Sequence, residues 1–462
     1  MVKQKQFLNQ HDDGVTRHPS AAEERSLAFS SGNRLLLFIL LFLSFPYTAS
    51  PQTRESSSVV AAIDELNRGN IFEAIHKLKL TLQQNAAPQA YLYLSGIYTR
   101  MGRYDTAYRY LSTAMDDNPV QAAHYEQLGL IRRYEGCRVE AMAAFRQALS
   151  LATNREEATL WRHIGEVHVD LLEWDKAIDA FRNTLRLRPN DAMARLALGR
   201  IYVDRNDPQT ALNELRAALE ISPAVAGLHA VLGRAYRAAG NSEAAIDILT
   251  KGIEKDSSDQ ESRYLLGQTL LAAGSTREGR QILRDYQQMQ ERIEQTNTLF
   301  EAAVERARAG DLAEAEKALR EALGHAPRYA PALQILGTVL LNRGNVQQAV
   351  ETFRQSLAVN PLNSETYLNM GAAYLRLGNL NAGFEMTEKA LVIEDQDARH
   401  YAQLGDIYSR VGRPDQSRAA LEKAASLKSA PAYRPPDPYG SEGRRRDNAA
   451  TVREICGGPP SP

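Results

Sequence analysis

Apolar residues return along this chain with two periods. Within a stretch such as "LWRHIGEVHVDLLEWDKAIDAFRNTLRLRP", residues 160 to 189, they recur every three or four positions, the spacing of one helical face. Between stretches the whole pattern returns after about 34 residues. A glycine follows the first apolar residue at Gly129, Gly165, Gly199, Gly233, Gly267, Gly337, Gly371 and Gly405, with successive gaps of 36, 34, 34, 34, 70, 34 and 34. The gap of 70 conceals a unit with Ala303 in the glycine place, and Ser95 takes that place 34 residues before Gly129. The pattern predicts helices in pairs, joined by short turns.

Each helix has an apolar stripe too narrow to make a core alone, so the units must stack on their neighbours. A small residue also stands 12 positions after the glycine, at Ala177, Ala211 and Ala349, and 12 after Ser95 at Ala107. Small side chains at both places are expected where the two helices of a pair cross at close approach. A larger residue there should cost ~1–3 kcal/mol through overpacking. Pro119, Pro189, Pro223 and Pro361 fall where the second helix must stop, since proline cannot continue the hydrogen-bond ladder.

Trp161, Ile164 and Gly165, followed by Ala177, Phe181 and Pro189, fit the pattern W-x2-L-G-x2-Y, A-x3-F, P. In this the chain resembles the tetratricopeptide repeat family over about residues 58 to 428, with ten good repeats and a degenerate one in front. The resemblance implies an all-α fold: a right-handed superhelical solenoid of antiparallel helix pairs, binding partners in a concave groove lined by the first helix of each pair. One stretch departs from the pattern. "REGRQILRDYQQMQERIEQTNTLFEAAVERARAG", residues 277 to 310, lacks a proline or turn signal where one is due, and Gly279 and Tyr286 replace the expected small residues. A lengthened second helix is expected there, with a bend between a first block, 58–295, and a second, 296–428.

The flanks read differently. Residues 35 to 45, "LLLFILLFLSF", follow Arg34 and precede "PYTAS", the layout of a secretory signal, and are short of the ~20 apolar residues of a spanning helix. Asp12, Asp13, Glu23 and Glu24 ahead of the run, and Pro51 after the small pair Thr48 and Ser50, are unusual for a cleaved signal. Residues 1–57 are therefore a signal peptide or a membrane anchor with flanking segments, and the array is expected to be exported (periplasmic or extracellular) or membrane-anchored; cytoplasmic is the alternative if the segment is not a signal. Residues 429–462 turn rich in proline, glycine and arginine, lose apolar periodicity and read as a disordered tail.

Lys plus Arg is 55 and Asp plus Glu is 56, a formal net charge of −1, so no global field draws the molecule to nucleic acid or an anionic surface. Cys137 and Cys456 are far apart in the chain; two free thiols are expected, with a disulfide between them the alternative. His163, Glu166, His168 and Asp170 crowd into eight positions and invite a metal-site reading. The histidines are five apart, however, which turns the second by ~140° from the first on a helix at ~100° per residue. His168 also holds the inward place taken by Tyr202, Tyr236, Tyr374 and Tyr408 in other units. Packing roles are expected for it, with no metal and no cofactor. No H-E-x-x-H, G-x-S-x-G or phosphate-loop motif occurs, and an enzyme is not expected.

In the repeat register, the groove places of the first block are Arg162 and Glu166, Leu196 and Arg200, and Ala230 and Arg234, with Arg133, Asp204 and Arg237 nearby. That half has a basic excess suited to carboxylates or phosphates. The next units bring Tyr264 and Gln268, Phe300 and Val304, Gln334 and Thr338, then Leu368 and Ala372, a more apolar half with Tyr264 and Phe300 as anchors. The candidate partner-binding residues are Arg133, Arg162, Arg200, Arg234, Arg237, Tyr264, Gln268, Phe300 and Gln334. The Lys, Asn and Arg set of the family's chaperone-tail clamp is missing, and so is its sugar-transferase asparagine ladder, with Asn369 alone in that phase. The expected function is a non-catalytic scaffold or adaptor for a protein or peptide partner, acidic at one end and apolar at the other, without nucleic acid and touching membrane through the amino-terminal run alone. A self-associating homo-oligomeric component of an envelope or secretion assembly is the alternative. An accessory subunit of a glycan-acting enzyme is a third reading.

Overall fold

The computed structural model describes residues 57–429, apart from 85, 86, 88 and 118–120. The signal or anchor reading of 1–57, the tail of 429–462 and the pairing of Cys456 fall, but for the helix ends at 57 and 429, outside the described residues.

The described residues form 21 helices and no strand. The first block opens with α1 (Ser57–Asn67), α2 (Ile71–Gln83), α3 (Gln89–Arg100), α4 (Tyr104–Asp117), α5 (Ala122–Tyr134) and α6 (Arg138–Leu151). It continues through α7 (Asn154–Asp170), α8 (Trp174–Leu187), α9 (Ala192–Asp204), α10 (Pro208–Ile221), α11 (Leu228–Ala238), α12 (Ser242–Lys255) and α13 (Gln260–Ala272). Then come α14 (Thr276–Arg308), α15 (Leu312–His325), α16 (Ala330–Asn342), α17 (Val346–Val359), α18 (Ser364–Arg376), α19 (Leu380–Ile393), α20 (Ala398–Arg410) and α21 (Pro414–Ser429). Odd and even helices pair in sequence up to α13. The 33-residue α14 then serves as second helix of one unit and first helix of the next, so the array holds eleven units.

Local chemistry sets the helix limits. Asp191, Asp207, Asn241, Asp259, Asp311, Asn363 and Asn379 each accept the backbone N–H three residues on, capping the helix that follows. Such caps contribute roughly 0.5–2 kcal/mol each. The prolines at 189, 223 and 361 sit two residues beyond the ends of α8, α10 and α17, as expected. Between the two helices of a unit the chain reverses through a residue with positive φ: Gly69, Gly102, Gly136, Gly240, Gly274, Gly310, Gly344, Gly378 and Gly412. Leu172 (φ 60°) and Asn206 (φ 58°) hold that seat in two units.

The close approach within each unit has two parts. A Cβ on Gly129 would lie 2.5 Å from the Phe145 ring, on Gly165 2.7 Å from Phe181, and on Gly337 2.5 Å from Phe353. Leu215 and Leu249 press on Gly199 and Gly233 in the same way, at 2.4 Å. The repeat glycine is therefore the seat for a bulky residue 16 positions later. The small residue 12 positions later meets backbone instead: a Cβ on Gly279 would lie 2.8 Å from the Gly267 carbonyl oxygen. Where serine enters this pair its hydroxyl bridges the helices, Ser95 Oγ donating to Ala107 O and Ser417 Oγ to Gly405 O, both at 2.8 Å. Phe145, Phe181 and Phe353 are fully buried.

The stretch without a turn signal is one continuous helix, α14, because straight-chain Gln, Glu, Arg and Met fill the place where glycine or proline would break it. Between Gly279 and Thr296 no residue of α14 is buried. The apolar cluster that begins at Leu196 ends against Ile282, and the next begins at Phe300 and Ala303. The two sets of repeats thus share a helix and no buried core at that junction.

They meet a second time elsewhere. Leu362 and Val392 pack on the amino-terminal cluster of Val59, Leu78, Leu94 and Tyr98, and Phe72 lies 6.2 Å from Tyr367. A solenoid unit ordinarily touches its neighbours. Here the first two units touch the tenth, and the array closes on itself.

Candidate partner-binding groove

The first helices of successive units present a polar face on which side chains reach from one unit to the next. Gln127 donates to Thr99 Oγ1 at 2.8 Å, Arg234 to Asp204 at 2.7 Å, Arg237 to Gln268 at 3.1 Å and Asn369 to Thr338 at 3.2 Å. Gln334 donates to Glu365 at 3.0 Å and accepts from Asn363 at 2.8 Å. Spacing brings these groups together, since residues about 30 apart occupy matching places one unit on.

The structure divides the nine candidates. Arg133 binds Glu166 at 2.5 Å and Asp170 at 2.7 Å, and Arg162 binds Glu166 at 2.8 Å and lies 3.8 Å from Asp191. Burial opposes the Glu166 charge, yet Arg162, His163 and Arg133 together hold its carboxyl far below the usual range. These two arginines spend their charge inside the protein, which narrows the basic half. Leu196, Ala230 and Leu368, read as groove places from the register, are buried in the core; their helices roll that position under the neighbouring unit. Phe300 sits edge-on to Tyr329, ring centroids 5.3 Å apart, packed against the second core. Tyr264 is 41 % exposed and tilts on Tyr286 at 5.2 Å.

What remains open is a cationic stretch on α9 and α11, facing neutral residues of α13. Arg200 is exposed and, among the described residues, makes no ion pair, with one guanidinium nitrogen against Gly227. Arg234 pairs with Asp204 alone among the described residues, and Arg237 is engaged with the neutral Gln268. Arg234 and Arg237 line a cavity of about 460 Å³ with Val203, Leu265, Thr269 and Ala272. Two guanidinium groups over an apolar floor can take a carboxylate through charge-assisted bonds while burying the stem that carries it.

The crowded histidines do not form one site. His163 is buried, stacks on Phe145 at 5.3 Å, and lies 3.4 Å from Glu126 and 3.3 Å from Glu166. His168 is buried with Nδ1 2.6 Å from Glu173, in the turn to α8. In three of the four units where tyrosine replaces it, the hydroxyl takes a guanidinium from the preceding helix: Arg182 to Tyr202, Arg216 to Tyr236 and Arg354 to Tyr374.

Register reasoning missed the closure. Lys79, Tyr98, Arg103, Tyr110 and Asp395 make it, and a trace of it stands in the sequence: "YLYLSGIYTRMGRYDTAYRY" holds six of the chain's 20 tyrosines in 20 positions.

Three models of the family described as "Tetratricopeptide repeat" match the sequence: one at 163–226 and 231–291, a second at 202–259 and 306–365, a third at 398–431. The unmatched interval after 291 falls within α14. No curated protein matches. Among solved structures, a thermophilic TPR protein from Thermus thermophilus is 20 % identical, covering 40 % of this chain and 100 % of that one, with a TM-score of 0.35. A tetratricopeptide repeat protein from Parabacteroides merdae is 16 % identical over 62 % of this chain and 98 % of its own, with a TM-score of 0.34. YrrB, described as a TPR protein with an unusual peptide-binding site, is 17 % identical over 56 % of this chain and 96 % of its own, with a TM-score of 0.26. With eleven stacked helix pairs, the 34-residue register and the family matches together, the chain is a tetratricopeptide-repeat protein, an all-α superhelical array of the kind that serves as a scaffold for protein interactions.

Proposed function

We propose that this array is a non-catalytic adaptor that holds an acidic segment of a partner protein on the first-helix face of its fifth to seventh units. The observation that carries the reading is Arg200, an exposed groove arginine with no ion pair among the described residues, beside the Arg234 and Arg237 cavity. Elsewhere along this face the charges are matched from unit to unit, so an unmatched cation here favours a ligand that supplies the carboxylate. Tyr264, one unit on, gives an exposed aromatic anchor for an apolar side chain next to the acidic one. An exported or envelope-associated setting goes with the apolar run at 35–45.

Selection from a random peptide display library tests it. Acid-then-apolar sequences should be enriched on the native chain and lost on Arg200→Glu/Arg237→Glu with helicity intact. Enrichment that ignores the substitutions, or no enrichment at all, ends the reading.

Self-association is favoured by a separate observation. At the end of the array, Leu421 is 48 % exposed beside a cavity of about 780 Å³ lined by Ser409, Pro414, Arg418 and Ala425. Molar mass that rises with concentration, and no longer does so in Leu421→Lys, would support it.

A further inference from the structure

The closure between the first two units and the tenth is built unlike any other contact in the array. Lys79 Nζ lies 2.7 Å from Asp395 Oδ2, and Tyr110 donates to the same oxygen at 3.0 Å. Tyr98 donates to the Ile393 carbonyl at 2.8 Å, and its ring stacks on Tyr110 at 5.4 Å with an interplanar angle of 2°. The Lys79 ammonium stands 5.8 Å and 6.0 Å from those two ring centres. Arg103 bonds Glu394 at 2.5 Å and Ser364 at 3.2 Å. Where successive units stack, by contrast, continuous apolar clusters join them. The seam is polar, made largely of helix ends and the loop at 394–397, with Phe72, Leu362 and Val392 as its apolar part.

The opposite side of the closed array is also distinctive. There the two sets of repeats are held by α14 alone, with nothing buried between Gly279 and Thr296. The middle of α14 is only lightly packed, with Tyr286 tilted on Tyr264 and Gln290 donating to Gln260 at 2.7 Å, and such a stretch bends more readily than a helix with a buried core against it.

We propose that the protein is a hinged clamp: the lightly packed middle of α14 is the hinge, and the Lys79–Asp395 seam with Tyr98, Tyr110, Arg103 and Glu394 is a latch that opens and closes. Each jaw keeps its own core on opening, since no apolar cluster spans the hinge. What separates is mainly a set of ion pairs and hydrogen bonds that water can replace, together with the few apolar contacts of Phe72, Leu362 and Val392. Opening at the seam gives lateral access to the first-helix face, so a bound segment need not have a free end to thread. The inference does not depend on which ligand that face takes.

Spin labels on Gln83→Cys and Gln396→Cys, both exposed and flanking the seam, report its state by pulsed electron resonance in a Cys137→Ser/Cys456→Ser background. The native seam should give a dominant short distance with a minor long one. Asp395→Lys, which sets two ammonium groups face to face, should enlarge the long population several-fold while helicity and melting of the repeats stay close to native. The exchange Lys79→Asp/Asp395→Lys should return most of the short population. An unchanged distribution in Asp395→Lys would overturn the latch, as would a native protein with no short distance. Failure of the exchange to restore closure, or a long distance that comes with lost helicity, would also overturn it.

Discussion

Lys79 and Asp395 are separated by 316 positions in the chain and by 2.7 Å in space. Their contact is reinforced by Tyr110, and it turns a one-dimensional stack of repeats into a closed figure.

The pair makes closure sensitive to acid. Burial would raise the Asp395 pKa, but the Lys79 charge and the hydrogen bonds from Lys79 and Tyr110 leave it lowered. A carboxyl lowered on closing contributes stability that is present above its ordinary value near ~4 and lost as pH falls through the lowered one. The seam should therefore hold across neutral pH and release below about pH 4. Labels across the seam, read at pH 7 and pH 3, check this; Asp395→Asn should remove the transition.

His400 predicts a second pH effect at milder acidity. It is fully buried, and Nδ1 donates to the Glu394 carbonyl at 2.7 Å, steadying the loop that carries Asp395. Burial lowers its pKa, so the unfolded chain binds a proton near ~6.5 that the folded one refuses, and stability falls as pH drops below that value. Urea unfolding at pH 7.5 and 5.5 should show this loss, and it should be smaller in His400→Gln.

The repeat glycines should not tolerate even a methyl group. Gly337→Ala places a carbon 2.5 Å from the fully buried Phe353 ring and should cost about 1–3 kcal/mol. Gly324→Ala, where nothing stands within 4 Å of the new carbon, should be neutral or slightly stabilising by helix propensity. Equilibrium denaturation of the two variants separates packing from backbone effects.

Leu172→Gly should stabilise the protein. Leucine there is 69 % exposed and sits at φ 60°, where nine other units place glycine at positive φ. Relief of the left-handed strain is on the order of 1 kcal/mol, reduced by the extra freedom of glycine in the unfolded chain. A higher melting temperature with an unchanged spectrum is the expected result.

How far the sequence speaks depends on the range of the interaction. Gly165, Ala177, Phe181 and Pro189 announce a unit because their contacts lie within it, and the 34-residue register carries the same reasoning to Ala303 and Ser95, where the glycine is absent. The run from 277 to 310 betrays one long helix by what it lacks. The groove was legible only in part. Register finds Arg133 and Arg162 on the right helices but cannot tell that Glu166, Asp170 and Asp191 reach them, because that depends on the rotation between units. It placed Leu196 and Leu368 at the surface for the same reason. The closure is a contact of units eight and nine places apart, set by small angles summed over the array, and no local pattern encodes such a sum.

The long helix α14 has a consequence for assembly. Because both faces of the seam belong to one chain, they meet at an effective concentration that short tethers place in the millimolar range, so weak polar bonds suffice to keep the figure closed. Make that tether stiffer or longer, and the same faces lose their advantage over those of a neighbouring molecule. The first two units of one chain would then clasp the tenth of another, and a closed monomer would become a reciprocally swapped dimer without a single new contact.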